Sequence, residues 1–169
     1  MSTLFKNGAV ADDTWVTVEG EQPVPEGVDV IVSLDVFKEN RDALLARNDG
    51  RVGVFLDTLE AVEDIADDLG SLALVSLNFP SFADGTSYSK ARLLRDRHGF
   101  EGEVRAVGDI RIDQVAFFKR CGCDALVVSH QPTIDAIIEG KDPSIHLYYQ
   151  PALQDAASNG GKKWTRRSA

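Results

Sequence analysis

The sequence predicts an α/β fold in which about five mainly parallel strands alternate with helices. Five short apolar runs do not alternate with polar residues, which is typical of strands covered on both faces; the runs are residues 30–32, 52–56, 72–77, 104–107 and 125–128. Apolar residues at helical spacing recur between them, in residues 36–47, 59–69, 88–97 and 115–121. This order leaves two architectures open: an open sheet covered by helices, or a partial β/α barrel.

A short β-hairpin is predicted before this body. Asn7-Gly8 favours the positive φ angles of a tight turn, and residues 15–18 alternate like a further strand. Two prolines and a glycine between residues 23 and 27 then break the chain. We expect a single α/β domain with an N-terminal β appendage and a flexible basic tail; the boundaries are 1–153 for the domain, 1–27 for the appendage and 154–169 for the tail.

The composition predicts a soluble, acidic protein. The 169 residues carry a formal net charge of −9, with 43% hydrophobic and 27% charged residues. This negative charge argues against binding nucleic acid through the overall field. No apolar run approaches the length that spans a bilayer, and the first residues lack the pattern of a signal peptide. We therefore expect a cytoplasmic protein with neither a membrane nor a nucleic acid as partner.

Polar residues follow each of the five predicted strands. They are Ser33 and Asp35, Asp57, Asn78, Gly108 and Asp109, and Ser129 and His130. Because the carboxyl ends of parallel strands meet at one edge, where ligands collect, these residues are candidates for a pocket. Asp57, Asn78 and Asp109 are the candidate catalytic groups. A simpler interpretation, also open, is that these residues only cap the helices that follow.

A helix near residues 86–98 carries several cations. Arg92 and Arg95 share one face at i, i+3 spacing, and the Asp84-Gly85 turn before the helix is followed by free N–H groups. The helix therefore presents either an anion site or a solvated charged face.

Arg105 falls inside a predicted buried strand, where an unpaired charge is expensive. We expect it to have a carboxylate or a ligand as partner, and the candidate carboxylates are Asp57, Asp109 and Glu103.

No cofactor and no metal site are predicted. The three histidines are not at ligand spacing, and neither a dinucleotide fingerprint nor a phosphate loop is present. Cys121 and Cys123 form either a dithiol or two small buried side chains at a helix end capped by Gly122. The established redox spacing has two intervening residues, so the sequence favours the second interpretation.

The central stretch also carries a long set of motifs: Phe79-Pro80, Phe82, Asp84-Gly85, Tyr88-Ser89, Ala91-Arg92, Leu94-Arg95, Gly99, Gly102-Glu103, Arg105-Ala106, Gly108-Asp109, Asp113-Gln114 and Arg120-Cys121-Gly122. Together with residues 29–32, Gly53-Val54 and Tyr149-Gln150-Pro151, this set resembles the signature of domain-of-unknown-function family 934 over residues 4–152. Two positions differ from the family pattern: Thr86 replaces the usual arginine, and Cys123 replaces a common aromatic residue.

The resemblance implies a biological context. Members of this bacterial family are typically encoded beside assimilatory sulfite reductase and other sulfate-reduction genes, and they are often labelled oxidoreductases. This chain contains no self-contained redox motif. We therefore expect an accessory protein of sulfite reduction that binds the reductase or a small oxyanion. The expected anion- or partner-binding residues are Asp84, Tyr88, Arg92, Arg95, Arg105, Gly108, Asp109 and Gln114.

Two other functions stay open at this point. The chain is an enzyme acting on a small anionic metabolite at the carboxyl ends of the parallel strands, or it is a non-catalytic interaction scaffold. A partial barrel would also leave a sheet edge that a second copy could cover, which makes a homo-oligomer a further expectation.

Overall fold

A computed structural model describes residues 2–18, 20 and 22–141. The basic tail expected over residues 154–169 lies outside the described residues, as does the Tyr149-Gln150-Pro151 motif. Eight strands are present in the described part of the chain: β1 Thr3–Lys6, β2 Ala9–Ala11, β3 Val16–Val18, β4 Val30–Ser33, β5 Val52–Leu56, β6 Leu74–Phe79, β7 Glu103–Gly108 and β8 Ala125–Val128. The five predicted body strands are confirmed as β4 to β8.

Helices connect these strands. They are α1 Leu34–Glu39, α2 Arg41–Leu45, a 3₁₀ helix Val62–Ser71, α3 Thr86–Arg92 with a π turn Leu93–Arg97, a 3₁₀ turn Ile112–Gln114, α4 Val115–Cys121 and α5 Gln131–Ile138. The helix expected over residues 36–47 is divided at Asn40, whose φ of −115° ends α1. The segment expected as a helix over residues 59–69 is a 3₁₀ helix. Three aspartates and Gly70 give residues 62–71 a low α-helix propensity.

All eight strands belong to one sheet in the order β2-β1-β8-β7-β6-β5-β4-β3. Neighbours from β3 to β8 are parallel, whereas β1 is antiparallel to both β2 and β8. Because β3 to β8 follow each other in chain order, right-handed connections place every helix on the same face of the sheet. This topology belongs to a β/α barrel rather than to a doubly wound sheet.

The sheet is strongly curled. The edge strands β2 and β3 are seven strand steps apart, which is about 34 Å in a flat sheet. Only five residue steps join Ala11 to Val16, and these reach about 18 Å at most. The two edges can be connected only if the sheet bends towards itself. Of the two predicted architectures, the partial barrel is therefore the one that forms.

The convex face of the curled sheet carries the hydrophobic core. One row of strand neighbours consists of Val32, Val54, Val75 and Val104, all fully buried. Helix residues such as Phe37 pack against this face in one continuous cluster. Each large apolar side chain buried in this way contributes about 1.5–3 kcal/mol to stability.

The concave face is more polar. Its corresponding row consists of Ser33, Phe55, Ser76 and Arg105, which are neighbours across β4 to β7. Ser76 and Arg105 are each only 2% exposed. The interior of the half-barrel therefore holds a buried charge.

The N-terminal residues are integrated into the sheet at both edges. The predicted hairpin is present, and its turn residues Asn7 and Gly8 have φ values of 52° and 86°. Strand β1 then pairs with β8, while β3 pairs with β4 at the opposite edge. The expected appendage thus supplies three of the eight strands.

Candidate functional site

Loops at the carboxyl ends of β5, β6 and β7 meet around the first turns of α3 and α4. We call this region the carboxyl rim and define it as residues 57–60, 80–90 and 108–117. It contains six of the residues expected to be functional, namely Asp57, Asp84, Tyr88, Gly108, Asp109 and Gln114, and a seventh, Asn78, lies beside it at the end of β6. Arg92, Arg95 and Arg105 lie outside it.

The ends of β5 and β6 are joined through Asp57 and Asn78. The Asn78 Nδ2 group donates to Asp57 Oδ1 at 2.8 Å, and the Thr58 backbone N–H donates to the same oxygen at 2.7 Å. These two hydrogen bonds, the first above all, lower the pKa of Asp57. Asp57 is therefore a persistent carboxylate and a poor general base.

Lys90 supports this pair from α3. Its side chain is buried, and its ammonium donates to the backbone carbonyl of Asp57. Burial lowers the pKa of Lys90, although carboxylates of Glu60, Asp57 and Asp84 act in the opposite sense. The neighbouring Ser87 hydroxyl donates to the Asn78 carbonyl at 2.6 Å. Helix α3 is thereby fixed to the ends of both strands. Sequence reasoning placed Lys90 on a charged helix but did not single it out.

Gly108 and Asp109 form the end of β7. Gly108 has a φ of +117°, and a Cβ at this position would lie 2.2 Å from the Phe79 carbonyl oxygen. The close approach lets the Asp109 N–H donate to that oxygen at 2.8 Å. The Asp109 carboxylate pairs with Arg111 at 2.7 Å. A glycine is thus needed for the backbone here.

Gln114 and Asp84 organise the two neighbouring loops. The Gln114 side-chain carbonyl accepts from the Arg111 N–H at 3.1 Å, and its amide group donates to the Phe82 carbonyl at 3.4 Å. Asp84 accepts from the Thr86 N–H at 2.9 Å, which lowers the pKa of Asp84. Both side chains act here as local caps.

Tyr88 lies in an aromatic cluster between α3 and α4. Its ring centroid is 4.8 Å from that of Phe79, 4.6 Å from that of Phe117 and 4.9 Å from that of Phe118. The hydroxyl is buried and has no hydrogen-bond partner among the described residues. Burial raises the pKa of Tyr88. The ring therefore contacts three phenylalanine rings, while the hydroxyl has neither solvent nor a hydrogen-bond partner among the described residues.

The predicted arginines do not converge. Arg95, in the π turn, donates to the carbonyls of Phe100, Gly102 and Gly122 and to the Asp124 carboxylate. Arg92 is exposed and pairs with Asp96 at 3.4 Å. These contacts make Arg95 a structural connector between the π turn and the loop before β8.

Arg105 has two carboxylate partners on the concave face. Glu103, one of the three expected candidates, accepts from its Nε at 2.8 Å, which confirms that expectation. The second partner is Asp13, at 3.0 Å from a terminal nitrogen. The other two candidates bind different side chains: Asp57 accepts from Asn78, and Asp109 pairs with Arg111. Asp13 was not anticipated, because nothing in the sequence indicates that residues 12–15 connect the two edges of a curled sheet.

Ser33 caps α1 with its side chain, whereas the His130 side chain makes no capping hydrogen bond at the start of α5. Ser33 accepts from the Val36 N–H at 3.4 Å at the start of α1, and His130 contacts the Thr133 hydroxyl at 2.8 Å at the start of α5.

Cys121 and Cys123 are buried, and burial raises the pKa of both thiols. Gly122, with a φ of 100°, ends α4 between them as expected.

Three apolar side chains project from the carboxyl rim. Leu59 is 97% exposed, Phe82 53% and Phe117 46%. They occupy the loop after β5, the loop after β6 and the first turn of α4. Sequence reasoning missed them as functional residues, although a leucine or phenylalanine in a polar, turn-rich loop was the signal that could have identified them.

In the described part of the chain, no helix has the length and apolar character that crossing a bilayer requires. Nor do the described residues include three His, Cys, Asp or Glu side chains placed to hold a metal ion together.

No curated protein matches the chain. A family model described as bacterial protein of unknown function matches residues 53–159, which include the carboxyl rim. The chain therefore belongs to the bacterial protein family DUF934.

Proposed function

We propose that this protein is an accessory protein of assimilatory sulfite reduction and that it acts by binding the reductase through the carboxyl rim. The genomic context typical of the family supports the first part of the proposal. The second part is supported by the exposure of Leu59, Phe82 and Phe117 at one end of the sheet. The proposal places the chain in the cytoplasm, where Cys121 and Cys123 would stay reduced.

A protein partner is favoured over a small oxyanion. Two of the three arginines expected to bind an anion, Arg95 and Arg105, already donate to carbonyls and carboxylates of the chain itself. At the rim, Asp57 and Asp84 are held as carboxylates and would repel sulfite. Three exposed apolar side chains at one end of the sheet, in contrast, fit a protein-binding surface better than an anion site.

The direct test measures the reductase. Purified sulfite reductase from the same bacterium is assayed for sulfite turnover with and without the full chain, and its retention by the tagged chain is measured in parallel. The proposal predicts retention of the reductase and a change in turnover. A chain that neither retains the reductase nor alters its rate is not its accessory protein.

A second candidate is an enzyme acting on a small anionic metabolite, with Asp57, Asn78 or Asp109 as its polar groups. The observation that favours it is the buried ammonium of Lys90 next to the Asp57 and Asn78 pair. A thermal-shift screen of anionic metabolites tests it, because a ligand at a hundred times its dissociation constant adds about 2.7 kcal/mol of stability. A screen without a hit counts against this function.

A further inference from the structure

The carboxyl rim is acidic as well as apolar. Its acidic residues are Asp57, Glu60, Asp84, Asp109 and Asp113, and its cations are Lys90 and Arg111. Lys90 is buried, and Arg111 is paired with Asp109 at 2.7 Å. These two cations offset two of the five carboxylates, so the rim keeps a formal net charge of −3, from five negative and two positive charges. A partner surface would meet apolar side chains surrounded by negative charge.

The loops that carry these apolar side chains are held in place before any partner arrives. The Asp57 N–H donates to the Glu60 carboxylate at 2.6 Å, and this hydrogen bond closes a turn that includes Leu59. The Lys90 ammonium holds the same turn through the Asp57 carbonyl. Little conformational entropy remains to be lost at this turn on binding.

The other two apolar side chains are supported in the same way. The Phe82 carbonyl accepts from the Gln114 amide, and the turn that contains Phe82 is closed by the Asp84 N–H, which donates to the Ser81 carbonyl at 3.0 Å. Phe117 makes an edge-type contact with the Tyr88 ring, with the ring centroids 4.6 Å apart. The rim thus resembles a pre-organised interface more than a mobile loop cluster.

We infer that the carboxyl rim docks onto a basic protein surface, with Leu59, Phe82 and Phe117 entering apolar depressions that are ringed by lysine and arginine side chains. The inference rests on the proposed function, which names sulfite reductase as the protein that carries this basic surface. Complementary charge at the edge of such an interface speeds encounter and fixes orientation, while the desolvated apolar anchors supply most of the affinity.

The same charges argue against other occupants. Nucleic acid and the anionic headgroups of membranes would be repelled by the net negative charge of the rim. A second copy of this chain would bring two acidic rims together, which is unfavourable. Charge complementarity therefore selects a basic protein partner.

Affinity measurements on single variants test the inference. The full chain is titrated with purified sulfite reductase from the same bacterium, and Leu59→Ser, Phe82→Ser and Asp113→Asn are compared with it. The matched controls lie away from the rim: Ile138→Ser alters an apolar side chain that is 62% exposed, and Asp42→Asn alters a fully exposed carboxylate. All five positions are exposed, so each variant should fold, which circular dichroism checks.

We expect each apolar rim variant to weaken binding by about fivefold or more, as for interface anchors in general. Asp113→Asn should weaken it less and should reduce the dependence of affinity on salt. Both controls should bind like the unaltered chain.

Three results would overturn the inference. If rim variants and controls bind the reductase with equal affinity, another surface docks: the inference and the assignment of binding to the rim both fall, and only the accessory role in sulfite reduction stands. If the unaltered chain does not bind the reductase, the inference and the proposed function both fall. If the chain instead binds phosphatidylcholine vesicles through Leu59 and Phe82, the rim is a membrane surface.

Discussion

Asp13 and Arg105 are 92 residues apart in the chain, and their side chains are 3.0 Å apart. Asp13 lies in the short connection between β2 and β3, whereas Arg105 lies in the middle of β7. The contact exists only because the sheet curls, so that a connection between its two edges passes over its concave face. Glu103 and Lys6 extend the contact into a chain of charges, since Glu103 accepts from both Arg105 and Lys6.

The first prediction concerns this buried charge. Arg105→Met should destabilise the protein by about 3–5 kcal/mol, because it leaves the largely buried Glu103 carboxylate with a weaker set of partners. The double variant Arg105→Met with Glu103→Gln should recover much of this loss. The measurement is the free energy of unfolding in urea for both single variants and the double variant. Additive effects within about 0.5 kcal/mol would contradict the pairing.

The second prediction concerns the hydroxyl of Tyr88. A buried hydroxyl without a partner costs about 1–3 kcal/mol, so Tyr88→Phe should leave stability unchanged or raise it by about 1 kcal/mol. Tyr88→Leu is the matched control, and it should destabilise because it removes the contacts with Phe79, Phe117 and Phe118. The midpoint of urea unfolding reports both. A clear loss of stability in Tyr88→Phe would mean that the hydroxyl has a partner.

The third prediction concerns the backbone at the end of β7. Gly108→Ala should destabilise by about 2 kcal/mol or more, because a Cβ would lie 2.2 Å from the Phe79 carbonyl oxygen at a φ of +117°. Gly70→Ala is the control, since a Cβ there meets nothing within 4 Å. Thermal unfolding distinguishes the two variants. Equal midpoints would show that β6 and β7 do not approach as closely as described.

The fourth prediction concerns pH. The hydrogen bonds from Asn78 and Thr58 hold the pKa of Asp57 below its ordinary value of 3.8. A carboxyl whose pKa is lowered by folding contributes stability above its unfolded pKa, and that contribution is lost as the pH falls through the lower folded value. The loss of stability caused by protonation of Asp57 is therefore confined to pH values below about 4.

Asn78→Ala should raise the pKa of Asp57 towards 3.8, as followed by NMR titration of the carboxyl carbon. Ser87→Ala serves as control, because it removes a hydrogen bond to the Asn78 carbonyl and leaves both bonds to the Asp57 carboxylate. An unchanged Asp57 titration in Asn78→Ala would contradict the assigned cause of the shift.

Local features of the fold could be predicted from the sequence. The bounds of β5 and β8 agree with the apolar runs at residues 52–56 and 125–128, since a strand buried on both faces has no polar residue inside it. The hairpin turn at Asn7 and Gly8 and the helix end at Gly122 could also be predicted, because glycine and asparagine accept positive φ angles. Each of these depends on neighbours in the chain.

Features that depend on distant residues could not be predicted. Whether Asp13 pairs with Arg105 depends on the curl of the whole sheet, which no short segment specifies. The contacts of Arg95 could not be predicted for the same reason. Its acceptors at Gly122 and Asp124 lie in a loop almost thirty residues away, whereas the neighbouring sequence indicates only a charged helix. At the rim, six of the predicted residues lie together and the three arginines do not join them, while only the exposure of Leu59 and Phe82 in the folded chain identifies these two side chains.

The fifth prediction tests the central claim most directly, by growth of a deletion strain on sulfate or on cysteine as sole sulfur source. We predict that deletion slows growth on sulfate and not on cysteine. The unaltered gene and the control variant Ile138→Ser should restore growth on sulfate, whereas the double variant Leu59→Ser with Phe82→Ser should not. Normal growth of the deletion strain on sulfate would contradict a role in sulfite reduction.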